Sequence, residues 1–296
     1  MAAIRDLTID TKSLRKKSRP AWLQVNFIVP MIILTLVVIC AIFAPLLAPY
    51  NPTVNQLTKI NLPPFFEKGG SMAHVLGTDG YGRDILSRCI YGARISLSVS
   101  LLVIAITASI GTALGIFSGY MGGRWDTVLM RVTDVSLAFP AILIALLMAV
   151  ILGPSFWTVV IAISLLGWAP YARLIRGETL HLRQADFVSQ ARIIGASPLR
   201  IMGIHIFPNV VNPLIVIATM QVGLVILTEA ALSYLGAGIP PPTASWGQMV
   251  SDGRGVIDLY WWISFFPGIA IGLVVLAGNF LGDWVRDKLD PRLRQL

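Results

Sequence analysis

The sequence is poor in charged residues and in the residues that build disulfides and metal centres. Only 13% of its 296 residues are charged, about half the roughly 25% of a typical soluble protein. Two cysteines are too few for a disulfide framework, and the three histidines lack the spacing of a metal site. What remains is 55% hydrophobic. The composition therefore excludes a disulfide-rich secreted domain and predicts an integral membrane protein.

Motifs for nucleotide binding and hydrolysis are also missing from the sequence. None of its lysines follows a glycine, so the Gly-Lys-Ser/Thr of a phosphate-binding loop is absent. Gly-x-Ser-x-Gly and His-Glu-x-x-His do not occur either. We therefore expect no enzyme activity, no metal and no cofactor in this chain. The net charge of +8 reflects basic residues beside membrane spans rather than nucleic-acid binding.

Long stretches without charge predict an all-α protein with six transmembrane helices. A span needs about 20 apolar residues, and Gly153-Pro154 divides the longest stretch into two. The predicted helices are 27–48, 95–118, 135–152, 157–175, 211–232 and 264–284.

The distribution of basic residues predicts the orientation of these helices. With the N-terminus in the cytosol, 17 of the 23 Lys and Arg residues lie inside and six lie outside. The positive-inside rule favours this arrangement. It places both termini in the cytosol, together with the segment from Asp186 to Asn209.

That segment, DFVSQARIIGASPLRIMGIHIFPN, is a polar island between two apolar runs. It predicts two helices joined by a turn. Phe187, Val188, Ala191 and Ile194 share one face of the first helix. Gly195 suits the left-handed cap that ends the first helix. Ser197 suits the N-cap of the second helix and Pro198 its first position, and Pro208 is expected to end it. The other polar-face and turn residues are Ser189, Gln190, Arg192 and Ala196.

The island resembles the EAA loop of permease subunits of ABC importers, which is Glu-Ala-Ala, three residues, Gly, nine residues and Ile-x-Leu-Pro. Aligning Pro208 with the last position puts Gly195 on the glycine and Ala191 on the second alanine. Ser189 and Gln190 replace the Glu and the first Ala of the pattern, and His205 and Phe207 replace its Ile and Leu. The resemblance implies that this loop, within 178–210, couples the chain to an ATPase.

Five ordered motifs extend the resemblance from about residue 45 to the end of the chain. They are HVLGTDGYGRDILSRCIYGARISLSVS (74–100), GYMGGRWDTVLMRVTD (119–134), GWAPYARLIRGETL (167–180), EAALSYLGAGIPPPTASWGQMVSDG (229–253) and WWISFFPGIAIGLVVLAGNFLGDWVRDKLDPR (261–292). The chain is similar to a permease subunit of the dipeptide/oligopeptide/nickel ABC importer family, and specifically to the subunit that carries the Leu-Gly-Thr-Asp and Gly-Arg-Asp motif.

That resemblance implies a type I importer permease fold in the bacterial inner membrane, with alternating access. The implied partners are a second permease in a heterodimer, two cytosolic ATPases that bind ATP and Mg²⁺, an extracytoplasmic binding protein, the lipid bilayer and a di- or oligopeptide substrate. Nickel, glutathione or antimicrobial peptides are alternative substrates within the family. A channel or secondary transporter is the alternative from another class.

The expected organisation along the chain follows from these spans. It is a basic cytosolic N-terminus (1–26), a first helix (27–48), an extracytoplasmic loop and amphipathic elbow (49–94), a five-helix core (95–284) and a cytosolic tail (285–296).

Outside the island, two groups of polar residues are candidate functional residues. Asp79, Arg83 and Asp84 either contact the binding protein or form a capped, ion-paired elbow before the second helix. Glu229 and Asn279 interrupt apolar helices, where polar groups are costly. They are candidates for the pore or its gate, or else bond structurally within the bundle.

Overall fold

The computed structural model describes residues 25–289, with the side chains from residue 27 onward. Most of the predicted basic N-terminus and residues 290–296 of the predicted tail lie outside this range. Within residues 25–289 the regular structure is helical, apart from one isolated bridge between Thr78 and Asp84.

The helices follow one another with short connections, except for a long loop after the second. In chain order they are α1 (Val25–Ile42), α2 (Ala44–Leu47), α3 (Ile85–Met121), α4 (Gly123–Ala138), α5 (Ala141–Leu152), α6 (Phe156–Gly167), α7 (Ala169–Leu182), α8 (Asp186–Ile193), α9 (Pro198–Arg200), α10 (Phe207–Tyr234), α11 (Trp246–Gly253) and α12 (Trp262–Leu289).

Each of the six predicted spans corresponds to a helix, although within residues 25–289 only four helical stretches are long and apolar enough to span a membrane alone. These are Ile85–Met121, Phe156–Leu182, Pro198–Tyr234 and Trp262–Leu289. Two of them join consecutive helices, α6 with α7 and α9 with α10. The pair α4 and α5, bent by 84°, is a fifth if it counts as one span, and Phe27–Ile42 is a shorter apolar helix.

The first two predicted spans have different ends in the structure. The first helix stops at Ile42 rather than residue 48, and a short helix follows. Pro45 explains the break, because it has no N–H for a continuing helix and its ring clashes with the preceding turn. The second begins at Ile85, so the predicted elbow is its first turns rather than a separate element.

The third predicted span, 135–152, is wrong at its start. α4 continues to Ala138, and Phe139 then takes extended dihedrals before Pro140 caps α5. A residue before proline is pushed out of the helical region, which accounts for the bend. The helix in this span is therefore only Ala141–Leu152, while α4 is amphipathic and largely exposed along one side.

The two ends of the bundle differ in construction. We call the end with α8 and α9 (residues 183–206) the hairpin end. We call the opposite end, formed by residues 49–84 and 235–261, the cap. α12 continues through residues 285–289, beyond the end of the predicted sixth span at residue 284.

A ladder of glycines lies where α3 packs on α7. A Cβ atom on Gly111, Gly115 or Gly119 would lie 2.5–2.8 Å from atoms of Trp168, Ala172 or Thr179, closer than any real contact. Small residues four apart let two backbones approach, as in other membrane helix pairs. α3 and α7 therefore pack backbone against backbone down to the hairpin end.

Candidate functional site

The polar island folds into the expected helical hairpin. α8 ends in a Schellman motif: Gly195 has φ +85°, its N–H donates to the Arg192 carbonyl, and the Ala196 N–H donates to the Ala191 carbonyl, both at 3.0 Å. The Ser197 hydroxyl then accepts the N–H of Arg200 at 3.4 Å. The glycine turn, the N-cap and Pro198 as first helical residue are all confirmed.

The predicted end of the second helix at Pro208 is wrong. The chain continues from α9 through a π-helical turn, Ile201–Ile206, directly into α10. The wider π turn shifts hydrogen bonds to the fifth residue back, as from the Phe207 N–H to the Met202 carbonyl. Pro208 then falls in the first turn of α10, where its missing N–H costs little.

One face of the hairpin is buried against the membrane helices. Val188 is fully buried and Ala191 is 7% exposed. They pack in one apolar cluster with residues of α3, α7, the π-helical turn and the start of α10: Ile116, Tyr120, Ile175, Ile201, Ile206 and Val210, with Ala196 at its edge. The hairpin is therefore joined to three long helices rather than hanging as a loose loop.

The opposite tip of the hairpin exposes large apolar side chains. Ile193 is 86% exposed, Ile194 84% and Leu199 78%. Phe187 and Ile194, expected on the buried face, are both exposed. Ile194 is the capping residue of a helix of only eight residues, so its side chain points past the helix end. We call Ile193, Ile194 and Leu199 the apolar tip.

The remaining predicted coupling residues surround this tip. Ser189, Gln190, Gly195, Ser197, Pro198 and Pro208 are exposed, and Ala196 is half-buried. Arg192 lies over the Tyr120 ring, 5.2 Å from its centroid, and so attaches α8 to the end of α3.

A carboxylate–guanidinium pair joins α4 to the same end of the bundle. The Arg176 Nε and Nη2 atoms donate to the two Asp126 carboxylate oxygens at 2.5 and 2.6 Å, and the Ser118 hydroxyl donates to the same carboxylate at 2.6 Å. A two-pronged pair of this kind fixes direction as well as distance. Arg173 and Asp134 form a second, exposed pair between α7 and α4. α3, α4 and α7 are thus tied together beside the hairpin.

The cap contains a buried network of charged residues. The Asp84 carboxylate caps α3 by accepting the Ser87 N–H at 2.8 Å, and it lies 3.0 Å from the His74 Nδ1 atom. Asp79 pairs with Arg83 at 2.7 Å and with Arg88 at 3.3 Å. This part of the network confirms that the elbow is capped and ion-paired.

A second carboxylate joins this network to the other half of the cap. Both Arg83 and Arg88 lie 3.3 Å from Asp252 of α11. Asp79, Arg83 and Asp84 are all no more than 4% exposed. Their direct contact with a binding protein stays a prediction, and their burial argues against it.

Glu229 is a buried acceptor near the end of α10. It is 1% exposed, and it accepts hydrogen bonds from the hydroxyls of Ser233 at 2.9 Å, Ser245 at 3.0 Å and Ser96 at 3.5 Å. Ser245 is also the N-cap of α11. Glu229 thus fastens α3 and α11 to α10, and its carboxylate faces these hydroxyls rather than an open path.

Replacing Glu229 with alanine is expected to destabilise the cap. Three buried hydroxyls lose their acceptor, at about 1–3 kcal/mol for each group that finds no other. We expect a melting temperature in mild detergent several degrees below wild type, and a smaller loss for Glu229→Gln, which keeps an acceptor oxygen. Equal melting temperatures for wild type and Glu229→Ala would contradict the fastening role.

Asn279, the other candidate for the pore, is exposed on α12. No hydrogen bond to its side chain occurs among the residues that the structure describes. An interhelical hydrogen bond of Asn279 stays a prediction.

Sequence reasoning missed the glycine ladder and the pair of Asp126 with Arg176. The ladder had a signal, since Gly111, Gly115 and Gly119 are spaced four apart in an apolar run. The ion pair had no such signal, because its two residues are 50 positions apart.

Two tryptophans fasten the cap to the helices below it. Trp246 and Trp262 are buried there, and their indole N–H groups donate to the carbonyls of Cys89 and Thr78.

Two family models match the chain. The model described as "Binding-protein-dependent transport system inner membrane component" matches residues 111–295. The model described as "N-terminal TM domain of oligopeptide transport permease C" matches residues 27–64.

Curated relatives cover nearly the whole chain. The dipeptide transport system permease protein DppC of Escherichia coli K12 is 45% identical over 268 residues, which is 90% of this chain and 89% of the relative. The protein of the same name from Haemophilus influenzae is 41% identical over 90% of this chain and 91% of its own length. The di/tripeptide transport system permease protein DppC of Pseudomonas aeruginosa is 41% identical over 89% of this chain and 87% of its own length.

Proposed function

Because the chain belongs to the family of binding-protein-dependent transport system inner membrane components, we propose that it forms one half of the translocation pore of a peptide importer. A member of this family is a non-enzymatic permease subunit of an ABC transporter and a multi-pass inner membrane protein. The names of its relatives, which specify dipeptides or di- and tripeptides, favour a peptide substrate over nickel or glutathione.

The proposed assembly contains a second permease, two ATPase subunits that bind ATP and Mg²⁺, and an extracytoplasmic binding protein. We propose that the hairpin end faces the cytosol and the cap faces outward. The excess of basic residues toward the hairpin end supports this orientation. An ATP-independent channel or secondary carrier has no ATPase subunit that an exposed apolar tip on the hairpin could contact.

The observation that carries the coupling role is the contrast between the two faces of the hairpin. Val188 and Ala191 are buried in the bundle, whereas Ile193, Ile194 and Leu199 project from it. Three large apolar side chains clustered on a segment that lies in water are typical of a docking surface. We propose that this apolar tip inserts into a groove of one ATPase subunit.

Movement of the docked ATPase would be transmitted to the membrane helices through rigid contacts. The hairpin shares one apolar cluster with α3, α7 and α10, and the glycine ladder and the Asp126–Arg176 pair fasten α3, α4 and α7 to each other. Rotation of the hairpin would therefore turn these helices together. The bend at Phe139–Pro140 is the natural hinge toward α5.

Replacing Ile194 with aspartate is expected to uncouple the chain from its ATPase. The side chain is 84% exposed, so the fold should tolerate the change, whereas a charge in an apolar docking groove should not. We expect about tenfold less ATPase to co-purify with the tagged chain in mild detergent, together with loss of ATP-dependent uptake.

Leu259→Asp is the matched control, because Leu259 is 71% exposed on the cap. It should leave ATPase recovery unchanged. Gly195→Trp should act like Ile194→Asp, since φ +85° disfavours any residue with a Cβ atom. Wild-type ATPase recovery and uptake in both hairpin variants would refute the docking role.

A further inference from the structure

A cavity lies among the helices in the middle of the bundle. Its volume is about 210 Å³, larger than an engineered cavity of about 150 Å³ that accommodates benzene. α3, α6, α7 and α10 form its walls, and the bend between α4 and α5 forms its rim. Phe139 and Leu224 line this rim and are more than half exposed. The cavity is therefore open to the surface of the chain.

The lining is polar at several points but carries no acidic, basic or histidine side chain. Its polar members are Thr107, Ser136, Tyr171, Gln221 and Thr228. The other lining residues are apolar: aliphatic residues together with Phe139, Pro170 and Gly167. Polar groups inside a membrane bundle are costly and mark substrate paths or helix contacts. The hydroxyls of Thr107, Ser136 and Thr228 donate to carbonyls of their own helices. The polar lining residues that remain for a ligand are therefore Tyr171 and Gln221.

The Tyr171 hydroxyl is the clearest sign that this space binds a polar ligand. Tyr171 is 1% exposed, and its hydroxyl, which lies beside that of Thr107, makes no hydrogen bond of ordinary length and angle within residues 25–289. The Thr107 hydroxyl, which lines the same cavity, donates its own hydrogen to the Val103 carbonyl at 2.7 Å. A buried hydroxyl without a partner costs about 1–3 kcal/mol. A ligand with an acceptor or donor at this point would remove that cost.

We propose that this cavity is where the chain contacts the backbone of a peptide in transit, with the Tyr171 hydroxyl and the Gln221 amide hydrogen-bonding its amide groups. This inference rests on the proposed function, since it takes a peptide as the transported solute. Hydroxyl and carboxamide groups match both the donor and the acceptor of an amide. A neutral lining neither attracts nor repels charged peptide side chains.

The rim of the cavity is connected to the coupling apparatus. Ser136 and Leu137 line it from the last turn of α4, and α4 is tied to α7 by the pair of Asp126 with Arg176. Tyr171 lies on α7 itself. Rotation of α7 and α4 would therefore move two walls relative to Gln221 of α10 and change the width of the cavity.

The first test places a charge in the cavity. The complete transporter, with Gln221→Glu or Gln221→Lys in this chain, is reconstituted in proteoliposomes with radiolabelled alanyl-glutamate and alanyl-lysine. Gln221→Glu should shift the ratio of the two uptake rates by about tenfold in favour of alanyl-lysine, and Gln221→Lys by a similar factor the other way. A ratio unchanged in both variants would overturn the proposal and assign the cavity to packing against the second permease.

The second test removes the Tyr171 hydroxyl. Tyr171→Phe should lower the amount of alanyl-phenylalanine taken up per ATP hydrolysed severalfold. Stimulation of the ATPase by the binding protein and the melting temperature should both stay at their wild-type values, because the lost hydroxyl made no hydrogen bond within the protein. Tyr234→Phe, at the cap end of α10 and outside the cavity lining, is the control. Wild-type uptake in Tyr171→Phe would overturn the assignment of this hydroxyl. A wild-type transporter that carries none of these dipeptides would instead refute the proposed function, and with it this inference.

Discussion

Replacing Gly115 with leucine is expected to prevent assembly of the folded permease. A Cβ atom at this position would lie 2.7 Å from the Ala172 carbonyl oxygen and 3.0 Å from the Arg176 backbone nitrogen. Backbone atoms cannot move aside as a flexible side chain does, so α3 and α7 would have to separate. The expected loss is about 3 kcal/mol or more, and the effect should reach the hairpin, which packs on both helices.

The measurement is the fraction of the tagged chain that elutes as a single species in detergent and binds the second permease. Gly177→Ala is the matched control, because Gly177 lies in α7 with open space around its missing Cβ atom. It should fold as well as wild type or better, since alanine favours a helix by about 1 kcal/mol. A folded, partner-bound Gly115→Leu would show that the ladder is not required.

Replacing Asp79 with alanine is the second change with a large expected effect. Asp79 is the acceptor nearest to Arg83 and a partner of Arg88, and both guanidinium groups are buried. Without it, two buried cations share the single carboxylate of Asp252. Removing one partner from a buried ion pair costs about 3–5 kcal/mol. We expect a marked drop in melting temperature as the cap loosens from α11.

This variant also separates two roles for the same residue. If Asp79 only contacts the binding protein, Asp79→Ala should keep the wild-type melting temperature and lose stimulation by that protein. If it holds the cap, stability should fall even when no binding protein is present. Asp258→Ala serves as the control, since Asp258 is exposed on the cap. Equal melting temperatures in all three proteins would contradict the structural role.

Local signals predicted the hairpin well because its geometry is set by neighbouring residues. Gly195 takes a left-handed conformation that only glycine adopts freely, and Ser197 caps a backbone N–H three residues away. Pro208 was misjudged for a reason that no local rule contains. A proline stops an α-helix, but a π turn just before it lets the chain continue.

Pairings between distant residues could not be predicted. Asp252 lies 169 residues from Arg83 in the chain, and neither segment contains a sequence signal that predicts the pairing. Glu229 was recognised as unusual from its apolar context. Only its surroundings show that three serines use it as an acceptor, and its role in a pore or gate stays a prediction.

The sequence by itself determined that this is an all-helical membrane protein of the importer permease family with a helical hairpin between two apolar runs. Charge-free length, turn residues and ordered motifs are properties of consecutive residues, and they persist in any packing. The tertiary structure alone decided which helices touch, which charges are paired and where a cavity remains. Those depend on the rotation of each helix about its axis, and an almost uniformly apolar helix has no polar face to reveal that rotation.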